Sequence, residues 1–430
     1  MKPIISSLFG LLFLCTSLFA QELSGKEQNI IQYVDKHQKN QLTLLKQLVN
    51  INSGTNNIAG VRAVGKKIEP IFKQLGFKTR WVEEPKSMHR AATFIAERTG
   101  TQGKRLLLIG HLDTVFTKNS AFQKFTRHEN TATGPGIIDD KGGDVVIVYA
   151  LKALHAEHAL DNTNITVVLT GDEEDSGKPT SISRKPLFEV AKKSDIALDF
   201  EIDISQDTVT VGRRGVSMWK LQTKGIESHS ALIFKPGVGY GAIFELSRIL
   251  NNFREDFEHD KNISLNVGLI SGGTKVDYDK NKNQSKAFGK ENVIPNTALA
   301  AGDFRFTSAA EEAEIMQKMQ IIVQKHLPST KAEITFQSGI PAMTPTQANL
   351  DLLKQYSSVS QALGYGEVKP LPANLRGAGD ISHIANIVPA NLAGLGPLGN
   401  GVHSEQETLE IPSLTMQTKR AALFIYRLTR

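Results

Sequence analysis

The stretch Ile165-Thr166-Val167-Val168-Leu169-Thr170-Gly171-Asp172-Glu173-Glu174-Asp175 runs β-prone residues into a glycine and then four consecutive acids. A short apolar run bounded by glycine reads as a buried strand. Four carboxylates at its end repel one another unless cations or protons neutralise them. In an open α/β sheet, ligands sit beyond the carboxyl ends of the strands. The turn is therefore either a binding site or a solvated acidic loop. What decides is whether other metal-type residues also stand at strand ends.

They do. Residues 105–109 read as a second buried strand, ending in Gly110-His111-Leu112-Asp113, where a histidine and an acid stand two apart. That spacing suits a ligand and the group that orients it. Residues 195–200 read as a third strand and end at Glu201. Gly134-Pro135-Gly136-Ile137-Ile138-Asp139-Asp140-Lys141-Gly142-Gly143 leads into an apolar helix over 145–154. It lacks the G-K-[ST] of a phosphate-binding loop. His155 and His158 fall in the polar end of that helix and read as surface residues. Upstream, Ser24-Gly25-Lys26-Glu27 has the form of a capping box. Apolar residues at helical spacing follow to Leu48, and again from Val61 to Leu75, closed by Gly76. Residues 77–82 and 91–96 read as strands. Alternating strands and helices imply a mainly parallel α/β sheet.

Beyond residue 214 the character changes. Residues 216–223 alternate as a half-exposed antiparallel strand does. A helix (242–253), two strands (263–270 and 297–306), a helix (309–326) and a strand (332–336) complete a β-α-β-β-α-β order, the ferredoxin-like motif. Residues 214–338 thus read as an inserted domain within a discontinuous one over 21–213 and 339–430. The polar, lysine-rich segment 277–290 reads as a mobile loop. The chain then returns to a helix over 350–363, glycine-rich turns at 376–380 and 394–403, and a closing helix over 414–428.

At 430 residues the chain is long enough for two domains and a full core. The formal charge is +6, with dispersed lysines and no basic stripe interleaved with aromatics, which argues against a nucleic-acid partner. Residues 1–20 have a short positive start, an apolar middle and a small residue before a polar one, the form of a secretory leader. Its loss takes Lys2 and leaves 6 − 1 = +5. The expectation is a periplasmic or secreted protein with no stable membrane span after leader removal. Cys15 is the single cysteine and departs with the leader, so the mature chain forms no disulfide.

His111, Asp139, Glu174, Glu201 and His403 together are two imidazoles and three carboxylates, a set that suits zinc, with manganese or cobalt able to occupy similar sites. Five ligands with one shared carboxylate can hold two metals. Here the chain resembles the M20 zinc metallopeptidases, which include the glutamate carboxypeptidase type, aminoacylases and related deacylases. The matching motifs are GHLDTV (110–115), GPGIIDDKGG (134–143), TGDEE (170–174), LDFE (198–201), GIESHS (225–230), NVIP (292–295), DFR (303–305) and GVHS (401–404). They occur in the family's order and span most of the chain.

The resemblance implies two zinc ions per subunit. His111, Asp139 and Glu201 would hold one, and Asp139, Glu174 and His403 the other, with Asp139 bridging. It implies Asp113 orienting His111 and Glu173 as general base. The inserted domain resembles the family's lid and dimerisation domain, so a homodimer is expected, with His229 reaching the partner's site to stabilise the oxyanion. Asn292 and Arg305 match substrate-contacting residues, Arg305 as a carboxylate clamp. Two departures stand out. Gly339-Ile340-Pro341-Ala342 replaces the G-R-P-A of the glutamate-releasing type, removing a guanidinium. Arg213-Arg214 and Arg376 occupy turns where small or neutral residues are expected. The expected function is a carboxypeptidase releasing a C-terminal amino acid from a peptide or N-acyl amino acid. The alternatives are a deacylase or dipeptidase on the same site, and a metal-binding protein without catalysis.

Overall fold

The structure, a computed structural model, describes residues 22–279 and 282–430; the expected leader and Cys15 lie outside them. A six-stranded sheet runs Lys78–Val82, Thr93–Arg98, Thr163–Thr170, Gln102–His111, Ile196–Asp199, Ala390–Leu392. The last four strands are mutually parallel, and the first two add antiparallel at one edge. The edge departs from parallel for a reason of chain length. Only residues 83–92 join the first two strands, too few for a crossover.

Side chains alternate across this sheet. Leu106, Leu108, Val167 and Leu198 enter a core with the helices Ile58–Gln74, Lys141–Ala156 and Ile411–Leu428. Leu107, Ile109, Val168 and Ala197 face the other way, onto Leu187, Ile381 and Ile384. The Ser24–Glu27 capping box forms. The first helical pattern divides at His37 into Gly25–Lys36 and Gln38–Val49, and Gly76 closes the next helix at φ +82°.

A second sheet, all antiparallel, runs Ser264–Gly273, Thr297–Phe306, Gly215–Lys224, Lys331–Ile340. Helices Gly241–Phe257 and Ala309–Gln324 cover one face around Trp219, Phe253, Phe304 and Met319. Order and connectivity are those of the ferredoxin-like motif. The segment expected to be a mobile loop is instead a hairpin, Lys275–Asp279 paired with Gln284–Phe288. Its alternation of Val276, Tyr278, Ala287 and Ser285 is diluted by lysines, and the pairing supplies the order that composition hides. Among the described residues no helix is long and apolar enough to cross a membrane.

One buried cation ties the acidic turn to the scaffold. Arg184 is 1% exposed and reaches Asp172 Oδ1 at 2.6 Å and Asp380 Oδ1 at 2.5 Å. Thr170 donates to the other Asp380 oxygen at 2.6 Å. Burial alone would raise the Asp380 pKa, but Arg184, His383 and the Thr170 hydroxyl together hold it below its ordinary range. Removing one partner of a buried pair leaves an uncompensated charge. Arg184→Met is expected to cost about 3–5 kcal/mol in urea unfolding at neutral pH. A depressed carboxylate pKa contributes stability that is lost as pH falls through the folded value. The gap between wild type and variant should therefore narrow on acidification; a constant gap would show that the ion pair is not its source.

Candidate metal centre and active site

The strands ending at His111, Thr170 and Asp199 are neighbours, with His111 in register with Thr170 and Ile109 with Asp199. Their carboxyl ends therefore open side by side. His111 closes its strand, the acidic turn follows Thr170, and Glu201 lies two residues past Asp199. Asp139 precedes the helix Lys141–Ala156, and its peptide bond to Asp140 is cis. His403 sits in the loop after the short strand Gly399–Asn400, in the left-handed region at φ +62°.

Asp139 turns one oxygen toward each histidine: Oδ1 lies 3.0 Å from His111 Nε2, and Oδ2 lies 3.1 Å from His403 Nε2. His403 Nε2 is also 3.1 Å from Glu174 Oε2. Ligand atoms of His111, Asp139 and Glu174 lie within 4.8 Å of one another, as do those of His111, Glu173 and Glu201. All five residues expected to bind metal thus fall in one cluster, with Glu173 grouped beside Glu201. Burial raises the Glu174 pKa. Hydrogen bonding to Asp139 and Glu174 lifts that of His403 to about 10. For Asp139, burial is outweighed by hydrogen bonds from both histidines, which hold its carboxyl far below the usual range.

Asp113 is fully buried. Its backbone carbonyl lies 3.1 Å from His111 Nδ1 and its carboxylate 3.4 Å away, leaving Nε2 directed at the cluster. The same carboxylate accepts the backbone N–H of Glu173 at 3.0 Å, that of Glu174 at 3.2 Å and the Thr55 hydroxyl at 2.6 Å. It therefore positions the acidic turn as well as the histidine. Glu173 differs from its neighbours: its carboxylate has no hydrogen bond or ion pair among the described residues. Burial, then the charge of Glu201, pushes its pKa well above the ordinary value. Asp172 and Asp175 take supporting roles. Asp172 accepts from Gly177, Ser183 and Arg184. Asp175 pairs with Arg90 at the surface.

Two arginines that appeared out of place in the sequence are in the site. Arg213 is 4% exposed and Arg376 7%. They meet Glu201 Oε2 at 2.6 and 3.1 Å, and Arg213 also reaches Asp199 Oδ2 at 3.2 Å. Sequence reasoning also missed Arg184, Asp380 and Glu407, none of which belongs to a motif of metal-type residues. The lid residues lie elsewhere. His229 and Asn292 share a small ladder in which His229 opposes Val293 and Ser230 donates to the Asn292 carbonyl at 2.9 Å; both side chains are exposed. Arg305 lies on the lid sheet, 3.1 Å from Asp303, lining a cleft of about 760 Å³ with Trp219, Lys220 and Tyr278. A smaller cleft, about 420 Å³, touches Glu174 and is walled by Thr55, Asn57 and Thr114. Of the two, the smaller one borders the cluster, through Glu174.

The donor set fits divalent metal: two imidazoles and three carboxylates converge, and one carboxylate spans both histidines. Comparison with known proteins identifies the family. The chain is 28% identical over 414 residues to carboxypeptidase G2 of Pseudomonas sp. (strain RS-16), covering 94% of this chain and 93% of that protein. It is 26% identical over 350 residues to the succinyl-diaminopimelate desuccinylase of Nitrosospira multiformis, covering 77% and 84%. The crystal structure of aminopeptidase PepT from Bacillus cereus shares the fold at a TM-score of 0.69 and 14% identity, over 91% of this chain and 99% of that one. Residues 107–427 match the model of peptidase family M20/M25/M40, and the chain belongs to that family of hydrolases.

Proposed function

We propose that this chain is a two-metal amidohydrolase that releases a C-terminal amino acid from a small peptide or an N-acyl amino acid. The observation that carries this reading is the free carboxylate of Glu173. A purely structural metal site is closed and needs no base. Here a half-buried acid stands beside the candidate ligands with neither oxygen engaged among the described residues, and burial raises its pKa above the ordinary value, which suits a group that takes and returns a proton. That argues against a metal-binding protein without catalysis.

In this reading His111, Asp139 and Glu201 hold one ion and Asp139, Glu174 and His403 the other. Zinc is favoured by the donors, with manganese or cobalt as further occupants. When bound, such ions polarise the amide carbonyl and make water acidic enough to attack near neutral pH. Asp113 keeps His111 Nε2 directed at the cluster and holds the backbone of Glu173 in place. Glu173 accepts the proton of the attacking water and delivers it to the leaving nitrogen. Arg213 and Arg376 hold Glu201 in one orientation.

A deacylase or dipeptidase reading shares every one of these steps. The desuccinylase relative favours it, and Ile340 in place of an arginine argues against glutamate as the recognised residue. Residues 214–338 are taken as the lid, with Asn292 and Arg305 meeting the substrate after closure. A homodimer completes the picture. His229 is exposed on the lid near the apolar Leu232, Phe234 and Phe244, a surface that fits a second copy. The leader-like residues 1–20 support a periplasmic or secreted location.

Glu173→Ala should keep its metal content while amide hydrolysis falls by about 10²–10⁴-fold. The assay is a panel of N-acyl amino acids and dipeptides after zinc loading, with and without chelator. Its substrate profile separates carboxypeptidase from deacylase, and undiminished activity in the variant would overturn the role of Glu173. For the dimer, His229→Ala mixed with Glu173→Ala should recover activity that neither has alone. Proven subunit exchange without recovery would exclude a shared site.

A further inference from the structure

Glu407 has no part in the steps above, yet it is among the most tightly held acids in the molecule. It is 1% exposed. Its Oε2 accepts the Gly136 N–H at 2.9 Å, and its Oε1 accepts those of Ile138 at 2.9 Å and Asp139 at 3.2 Å. Three backbone donors of one loop thus converge on one carboxylate, a nest of the kind that binds anions. The backbone of Glu407 is tied in as well. Its N–H donates to the Ser404 carbonyl at 3.1 Å, and its carbonyl accepts from Gly134 at 3.4 Å. The strand Thr408–Glu410 then pairs with Thr131–Thr133, just before the Asp139 loop. The segment that carries His403 therefore also grips the loop that carries Asp139.

We infer that Glu407 is the positioning residue for Asp139. By fixing the Asp139 backbone against the His403 turn, it sets Oδ1 toward His111 and Oδ2 toward His403. The inference rests on the reading of Asp139 as a shared metal ligand. Glu407 is enclosed and lines neither of the two clefts described above, so its effect falls on metal affinity and coordination, not on substrate recognition. Glu407→Gln keeps one oxygen for Ile138 and Asp139 but turns an amide N–H toward that of Gly136. Glu407→Ala leaves all three donors without a partner.

The test uses the full chain stripped of metal and titrated with Co²⁺ against a competing chelator, with the visible cobalt spectrum recorded. Losing a supporting group of this kind costs about 10–100-fold in metal affinity. Affinity should fall from wild type through Glu407→Gln to Glu407→Ala, with an altered cobalt spectrum, while KM for substrate stays near wild type. Tyr356→Phe serves as the control for lost stability. It removes a buried hydrogen bond to Gln417 and touches none of the cluster residues. It should lower the melting temperature and leave cobalt affinity and spectrum unchanged. Wild-type cobalt binding in both Glu407 variants, or an equal loss in Tyr356→Phe, overturns the inference alone. If Glu407→Ala does not fold, Glu407→Gln carries the comparison. A wild-type chain that takes up no cobalt overturns the metal reading and this inference together.

Discussion

The structure is governed by the repulsion among acids crowded at the ends of three adjacent strands. Asp139, Asp140, Asp144, Asp172, Glu173, Glu174, Asp199, Glu201 and Asp380 lie close enough to feel one another's charge or to share buried cations. Burial raises the pKa of Asp140, and takes Asp144 and Asp199 to about 8. Asp144 has no hydrogen-bond partner for either oxygen among the described residues. A fold optimised for stability alone would not keep such groups, since an unpaired buried carboxylate is costly. The chain offsets them with cations that are themselves buried. Arg184 lies under the acidic turn and Arg213 under Glu201. Lys141 lies beside Glu407 and Asp144, and burial lowers its pKa to about 7. These cations pair Asp172, Asp380, Asp199 and Glu201 directly, while Asp144 has, of these, only the charge of Lys141 nearby. In the upper half of the acid cluster Asp139 meets both histidines and Glu174 meets His403, while Glu173 has no side-chain partner among the described residues; this is where a metal pair is proposed.

Bringing a helix start so near the strand ends requires the absence of side chains. A Cβ on Gly143 would lie 2.1 Å from both Asp140 Oδ1 and the Phe200 carbonyl. One on Gly110 would lie 2.8 Å from Asp140 Oδ2. Gly143 in the first turn of the helix and Gly110 in the His111 strand thus serve packing: they let the helix start settle against the strand ends beside Asp140 and Phe200.

Strand ends and the inserted antiparallel sheet were legible because each leaves a local signal, an apolar run bounded by glycine or a period-2 alternation; the candidate ligands fall in one cluster, but singling out Asp139 from Asp140 rested on the resemblance. The two-sided burial of residues 106–109 is visible as an unbroken apolar stretch. What stayed hidden depends on partners far apart in sequence. Arg184 lies in an undistinguished segment, and only folding brings it to Asp380. Arg213 and Arg376 stood out only as charges in turns where small or neutral residues are expected, since nothing local shows that both would close on Glu201. Glu407 carries a weak signal, an acid four residues past the histidine, but its meaning lies in backbone donors that no sequence motif displays. The hairpin 275–288 was hidden for the opposite reason, since its lysines mask a period-2 pattern.

The lid residues expose a separate constraint. Within one chain, His229 and Asn292 lie at an exposed ladder and Arg305 is paired to Asp303, none of them in contact with the cluster. If these groups act on substrate, they do so after closure or from a second copy. That arrangement has a physical rationale. With Asp303 at 3.1 Å, Arg305 is neutralised at rest, so a carboxylate must compete with an acid already in place. Only a ligand that also engages the cluster gains enough from closure to win that competition. In the proposed closed form, water is excluded once substrate is held, which strengthens the charge interactions around it.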